Sequence, residues 1–431
     1  MTYGIVIALV SIIYLPVQDW DEARRGVNAL LMNCRADYLN YYYVDQPDTF
    51  NTKPPLFLWL VTLSFKAFGP GVVALRLPSL VALAGFLVYL RRWIGERYGY
   101  ATACVYLAAI VGVQGIIGQH VGVSGDTDML FVTCTTVACL QYFDYLQAGR
   151  GRALYMAVAM AWLALLTKGV AAALVVPGVL LVTLLHPTYR RRLLTGVAAR
   201  GLLLTVGLTG LAAYLLSQMG SATLPPAGYA NLLEATLFRD GVQRLTDPSF
   251  EAQPAPFYVF QALDIRFGLL IYVLYAGLLL LPLRYGWRSV LRRVRKDRLA
   301  VFSAGITVSV LLLLHLSANK HNWYVAPAIP FLAYLFVRTY AALIPQRRWQ
   351  AVGLAVLLVV SGAQRVTRIH RAAVADPPAT YTLLTQDTPQ HAVFSALLTT
   401  ATPSEVRMDE ELLSPTARFA ELPRRTSARN P

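Results

Sequence analysis

Eleven apolar runs punctuate this chain, at 3–17, 74–90, 100–118, 128–147, 153–167, 169–185, 201–217, 267–283, 300–317, 323–343 and 350–364. A helix crosses a bilayer with roughly 20 apolar residues, fewer where the membrane thins. The succession of runs therefore predicts an all-α polytopic membrane protein with about 11 transmembrane helices. Composition agrees. Of 431 residues, 56% are hydrophobic and 14% charged, where a soluble domain has about a quarter charged. Disordered, collagen-like and ordinary cytosolic chains are excluded. The first run reads as a span rather than a cleavable leader. It lacks a basic n-region, and Asp19, Asp21 and Glu22 follow it at once.

The net charge is +15, which on a soluble protein would suggest a nucleic-acid partner. Its distribution argues otherwise. With the N-terminus inside, the inward loops carry 19 basic residues against Glu96, Asp144 and Asp297. The outward loops and the tail nearly balance. The excess is thus the positive-inside signal, and no nucleic acid is implied. The inward loops are short and rich in Arg. The outward loops 18–54 and 218–266 are long and chemically varied, and function concentrates in such loops. The chemistry is therefore expected on the outward face. The four cysteines, Cys34, Cys104, Cys134 and Cys139, lack metal-site spacing and read as small buried apolar residues.

Several outward segments carry residues suited to chemistry. The first loop opens Gln18-Asp19-Trp20-Asp21-Glu22-Ala23-Arg24-Arg25-Gly26, and 23–32 reads as a short helix on the membrane surface with Val27, Leu30 and Leu31 on one face. An acid at its N-terminus, Asp19 or Asp21, serves either as a cap or as a catalytic base or metal ligand. Lys53, in Asn51-Thr52-Lys53-Pro54-Pro55, is held at the membrane edge by two prolines. It either snorkels or contacts a lipid phosphate. Asp128 begins the apolar run of Gly125-Asp126-Thr127-Asp128-Met129, where an acid is costly unless capped, paired or wet. Lys168 occupies a tight turn between two runs, and Lys320 and His321 punctuate two later ones. His321 alone reads more readily as a structural residue. Together, Asp21, Asp128, Lys53, Lys168 and Lys320 come from five segments at one membrane face. Lysines hold a phosphate while a carboxylate takes a proton from an attacking hydroxyl, so the set suits a reaction on an anionic lipid.

In this order the segments resemble the lipid-linked-sugar glycosyltransferases of the GT-C fold. The likeness is to the protein O-mannosyltransferase group (family 39) and the lipid A aminoarabinose transferases (family 83). It rests on Asp21-Glu22-Ala23-Arg24, Lys53-Pro54-Pro55-Leu56, and Phe68-Gly69 followed by Ala74-Leu75-Arg76-Leu77-Pro78-Ser79. It rests also on Asp128-Met129-Leu130, Leu166-Thr167-Lys168-Gly169, and Lys320 with Tyr324, Pro327 and Pro330. It covers about 1–340. The resemblance implies a polyprenyl-phosphate sugar donor and an acceptor that is lipid, glycan or protein. Transfer would occur on the outer face of an inner membrane. It implies Asp21 as base with Glu22 beside it, Asp128 as second acid, and Lys53 as donor-phosphate contact. Lys168 and Lys320 would line the same cavity, bordered by Arg24, His321 and Tyr324.

One departure stands out. Relatives often have a basic residue two positions before the second acid, where this chain has Asp126. Asp126 is either a metal ligand, which would bring in a divalent cation, or a surface charge. A lipid or polyprenyl-linked-sugar flippase is the alternative class, but transport pathways place ionisable groups near the midplane and often repeat their halves. The expected organisation is a membrane domain over 1–364 and a short tail over 365–431, read as outward. The loop 218–266, with Pro225, Pro226, Arg239, Asp247 and 254–258, is expected to shape the acceptor side.

Overall fold

The computed structural model describes residues 6, 17, 21–43, 46–48, 50–118, 120–220, 229–243, 246, 257–318 and 320–375. Of the expected first span, 3–17, only residues 6 and 17 are described, and the tail beyond 375 lies outside the described residues. So do Asp19, Pro225, Pro226, Asp247 and Pro254.

Helices dominate. The one paired strand element described is a two-residue antiparallel bridge, Tyr42–Tyr43 with Gln46–Pro47, in the first loop. Among the described residues six helical stretches are long and apolar enough to cross a membrane. They are Val72–Tyr98, Asp128–Ala148, Gly151–Leu185, Gly196–Gln218, Arg298–Leu316 and Asn322–Leu343. A seventh forms if Leu269–Tyr285 is counted with Trp287–Lys296, to which it is bent by 116°. The run at 100–118 becomes a 13-residue helix, Tyr100–Gly112. A helix of the same length, Leu56–Phe68, follows the prolines where no separate span is expected. The last helix, Arg347–Ala375, continues past the boundary expected at 364.

The stretch Gly151–Leu185 is continuous in hydropathy yet reverses direction. Gly169 at φ 58° turns the chain, and a Cβ there would sit 2.6 Å from Thr236 Cγ2. Backbone strain and crowding together make glycine the fitting residue. Downstream, Tyr145 donates to the Arg192 carbonyl (2.7 Å). The chain has therefore gone out and come back between 149 and 192, with Lys168 at the far tip.

Two stretches are the most enclosed. The apolar windows of Asp128–Ala148 and Asn322–Leu343 are 67% and 72% buried, against 17% for Gly196–Gln218. The last is a peripheral helix whose exposed Leu202, Leu203, Val206 and Tyr214 suit contact with lipid. Hydropathy cannot distinguish facing lipid from facing protein, and the cysteines illustrate this. Cys134 and Cys139 are buried and Cys34 partly so, but Cys104, expected inside, is exposed.

Candidate active site

The first-loop helix runs over Asp21–Arg35 and so begins at the acid that the sequence singles out. Val27, Leu30 and Leu31 are buried as expected, but so are Glu22, Ala23, Arg25 and Asn28. The helix is enclosed on more than one face, more than a purely surface helix would be. Polar anchors hold it. Glu22 makes a two-pronged ion pair with Arg76 of the Val72–Tyr98 helix (2.5 and 2.9 Å), both side chains 1% exposed. It also accepts from the Gly125 backbone N–H at 2.6 Å. That close approach needs a glycine, because a Cβ on Gly125 would lie 2.5 Å from Leu75 Cγ. Arg24 points elsewhere. It makes a two-pronged pair with buried Asp48 (2.7 and 2.8 Å) and stacks on Tyr43 and Phe50.

A cavity of about 360 Å³ lies between this helix and one end of the long helices. Asp21, Lys53, Asp126, Asp128, Lys168 and Tyr324 line it, so six of the residues chosen from sequence converge. Glu22, Arg24, Lys320 and His321 do not border it. Glu22 and Arg24 are turned toward the partners just named, because successive residues on a helix face different directions. His321 stacks on Trp323 (4.4 Å between rings) and meets Tyr324 edge-on at 5.0 Å. It thereby supports the cavity wall from behind.

Within the cavity the charges come in pairs. Lys168 Nζ is 2.6 Å from Asp128 Oδ1 and lies 5.2 Å from the Tyr324 ring centre. Asp128 is thus the first helical residue, with its carboxylate spent on a lysine rather than on a backbone cap. Lys53 Nζ is 2.7 Å from Asp240, which also accepts from the Thr52 hydroxyl at 2.9 Å. Arg25 Nη1 is 3.0 Å from Asp126 and Arg25 Nη2 is 3.7 Å from Asp21. Asp126 further meets His120 Nδ1 at 3.4 Å and accepts from the Thr127 N–H at 2.5 Å. It is 2% exposed, so its surface reading is corrected to an interior one. Burial by itself would push the Asp126 carboxyl up. The Arg25 guanidinium and the His120 ring outweigh it and hold the group below the usual carboxylate range.

Sequence reasoning missed four residues here: Arg25, His120, Asp240 and Trp323. Arg25 carried a signal, since it stands four positions after Asp21 and hence on the same helix face. His120 adopts φ 66°, unusual for a residue with a Cβ, and stacks on Trp323 at 4.0 Å. No local signal marks Asp240, because its partner is 187 positions away. Asp21, His120 and Asp126 offer ligand atoms that all lie within 4.8 Å of one another, a donor set of the type that binds divalent cations. Arg25 already places a positive charge between the two carboxylates.

The multi-helix membrane architecture, with a polar first loop folded over one end of the bundle, is the GT-C fold. The comparisons with known proteins bear this out. The family of dolichyl-phosphate-mannose-protein mannosyltransferases matches residues 52–216. The structure is similar to ArnT from Cupriavidus metallidurans bound to undecaprenyl phosphate, with a TM-score of 0.63 at 19% identity, covering 96% of this chain and 71% of that one. The apo form of that protein gives 0.60 at 17% identity, covering 91% and 66%. The archaeal oligosaccharyltransferase AglB from Archaeoglobus fulgidus, in complex with an inhibitory peptide and a dolichol-phosphate, gives 0.52 at 13%, covering 94% and 60%. No curated protein matches the sequence.

Proposed function

We propose that the chain is a membrane glycosyltransferase that moves a sugar from a polyprenyl-phosphate donor to a nucleophilic acceptor. The reaction would take place on the outer face of an inner membrane, with Asp21 as base. The observation that carries this reading is the contrast among the four cavity acids. Asp126, Asp128 and Asp240 are each held by a cation at 3.0 Å or less. Asp21 is 41% exposed and, among the described ion pairs, has only the 3.7 Å contact to Arg25. It is the carboxylate best placed to receive a proton.

The chemistry is a direct displacement. The acceptor oxygen attacks the anomeric carbon as its proton passes to Asp21. The bond from that carbon to the phosphate oxygen breaks, and polyprenyl phosphate leaves with the electron pair. Charge develops on the leaving phosphate, and cations around it lower the barrier. Lys53, Lys168 and Arg25 supply them. The Arg25 Nε has no hydrogen-bond acceptor in the structure despite being buried, so a donor remains for a phosphate oxygen. Leu174, Leu313, Leu314 and Pro327 give the same cavity an apolar wall that suits the first units of an isoprenoid. The resemblance and the solved structures of ArnT bound to undecaprenyl phosphate and of AglB with dolichol-phosphate support the donor class. All four acids sit at one end of the bundle, as a transferase at a membrane face requires and a midplane transport path does not.

The test is sugar transfer in membranes carrying the protein, supplied with a panel of radiolabelled polyprenyl-phosphate sugars. Asp21→Asn is expected to lower kcat by about 10²- to 10⁴-fold at equal protein level. Equal turnover in both proteins would remove Asp21 as base. The second loop reaches the site through Asp240, so we assign acceptor choice to 218–266. Exchanging that loop with a relative's should change the acceptor used, and an unchanged acceptor would reject the assignment.

A further inference from the structure

A second cavity is larger than the acidic one. A basin of about 1060 Å³ opens at the other end of the same helices. The helix Asp128–Ala148 begins in the acidic cavity at Asp128 and ends in the basin at Asp144, Gln147 and Ala148. At 1.5 Å per residue the two sites are about 30 Å apart, the thickness of a bilayer's hydrocarbon core. The basin therefore lies at the opposite membrane face.

Its charge is strongly one-sided. Two of its cations are matched, Arg97 by Asp144 at 2.7 Å and Arg338 by Asp297 at 2.6 Å. Arg298 donates to the Gln147 side chain at 2.8 Å. Arg150, Arg152, Arg293 and Lys296 also line the basin, and none has a carboxylate within ion-pair distance among the described residues. Four unmatched cations around one hollow repel one another unless an anion enters.

The positive-inside rule explains why basic residues lie at this end, but it asks only for charge in loops. It does not ask that charges from separate loops converge on one basin. Arg190 and Arg191 make the contrast. They obey the same rule at the same end of the bundle, are exposed, and do not line the basin.

The rim identifies the anion's source. The helix Trp287–Lys296 turns 116° from the spanning helix before it and so runs across the membrane rather than through it. None of its residues is buried, and Trp287, Leu291 and Val294 form an exposed apolar stripe at i, i+4, i+7. A basic helix with such a stripe rests in the headgroup layer. From its far end, Arg293 and Lys296 line the basin.

We propose that this basin is a binding site for the phosphate headgroup of an anionic phospholipid of the inner leaflet. The site is separate from the transfer chemistry and does not depend on it. Near a membrane surface each Lys or Arg contributes about fivefold to the affinity for anionic lipid.

The experiment uses the purified full-length chain in neutral detergent, with bound lipid counted by native mass spectrometry. Phosphatidylglycerol, phosphatidylcholine and free glycerol phosphate are titrated separately. The double variant Arg152→Gln/Lys296→Gln is compared with Arg190→Gln/Arg191→Gln, which removes equal charge outside the basin. Expected is preferential binding of phosphatidylglycerol by the wild type. The basin variant should bind it about 25-fold more weakly, and the control variant should be unchanged. Equal loss in both variants would overturn the site in favour of diffuse surface charge. Equal binding of phosphatidylcholine would overturn the anionic requirement. Glycerol phosphate binding as tightly as the lipid would overturn the membrane source. Thermal unfolding of each variant confirms that losses are not failures to fold.

Discussion

Lys53 of the first loop and Asp240 of the second meet at 2.7 Å, both largely buried, although 187 positions separate them. The pair closes one side of the cavity and fixes the ammonium group that the proposed mechanism turns toward the donor phosphate. A lysine has three N–H donors, and in the proposed mechanism a donor phosphate competes for one of them.

Lys53→Ala should therefore raise the donor KM by about 10- to 100-fold, the range of a charged hydrogen bond. Asp240→Asn should have a smaller effect in the same direction, because it loosens the lysine without removing it. The double variant should be less impaired than the product of the two singles. Donor titrations in membranes measure all three, and an unchanged KM in Lys53→Ala would remove it as a phosphate contact.

Glu22 is expected to act on stability rather than on chemistry. Its pair with Arg76 is fully enclosed, and removing one partner of such a pair costs about 3–5 kcal/mol. Glu22→Gln should lower the unfolding midpoint in detergent clearly while turnover per folded molecule stays close to wild type. A stable variant with lost turnover would return Glu22 to the catalytic set.

The pH dependence of the Arg25–Asp126 pair has a definite sign. The Asp126 carboxyl is depressed in the folded chain. Its stabilisation is complete above the ordinary carboxylate range, about pH 4, and disappears as pH falls through the folded value. Asp126→Asn should thus be less stable than wild type at neutral pH. The difference should shrink as the medium is acidified toward about pH 3. Unfolding midpoints of both proteins across that range check it, and a gap that widens in acid would contradict the pair.

Arg25 also bears on metal dependence. Asp21, His120 and Asp126 are close enough to chelate, but the Arg25 guanidinium, 3.0 Å from Asp126, already supplies a positive charge. Transfer should continue in the presence of EDTA. Activity abolished by EDTA and restored by a divalent cation would instead place an ion on those three ligands.

Much of this site is legible in the amino-acid sequence. Asp21, Lys53, Asp128 and Lys168 each interrupt or border an apolar run, and a charge in such a position is costly enough to need a reason. That cost is local, so the sequence displays it. A helix in the first loop, expected over 23–32 and found over Asp21–Arg35, and the turn at Lys168 and Gly169 are visible for the same kind of reason. Direction and pairing are not. Arg24 and Arg25 are adjacent and chemically identical, yet one anchors Asp48 and the other reaches the cavity. Glu22 and Asp21 divide in the same way.

The sequence by itself determined that this chain lives in a membrane, which end of its helices carries acids and lysines, and which end carries arginines. These follow from hydropathy and charge counted along the chain, and hydrocarbon enforces both strictly. Only the tertiary structure decided which carboxylate stays loosely paired, that Asp240 completes the cavity, and that scattered loop arginines gather around one basin. Those outcomes depend on a few ångströms and on a side chain's direction around a helix, set by packing between segments far apart in sequence.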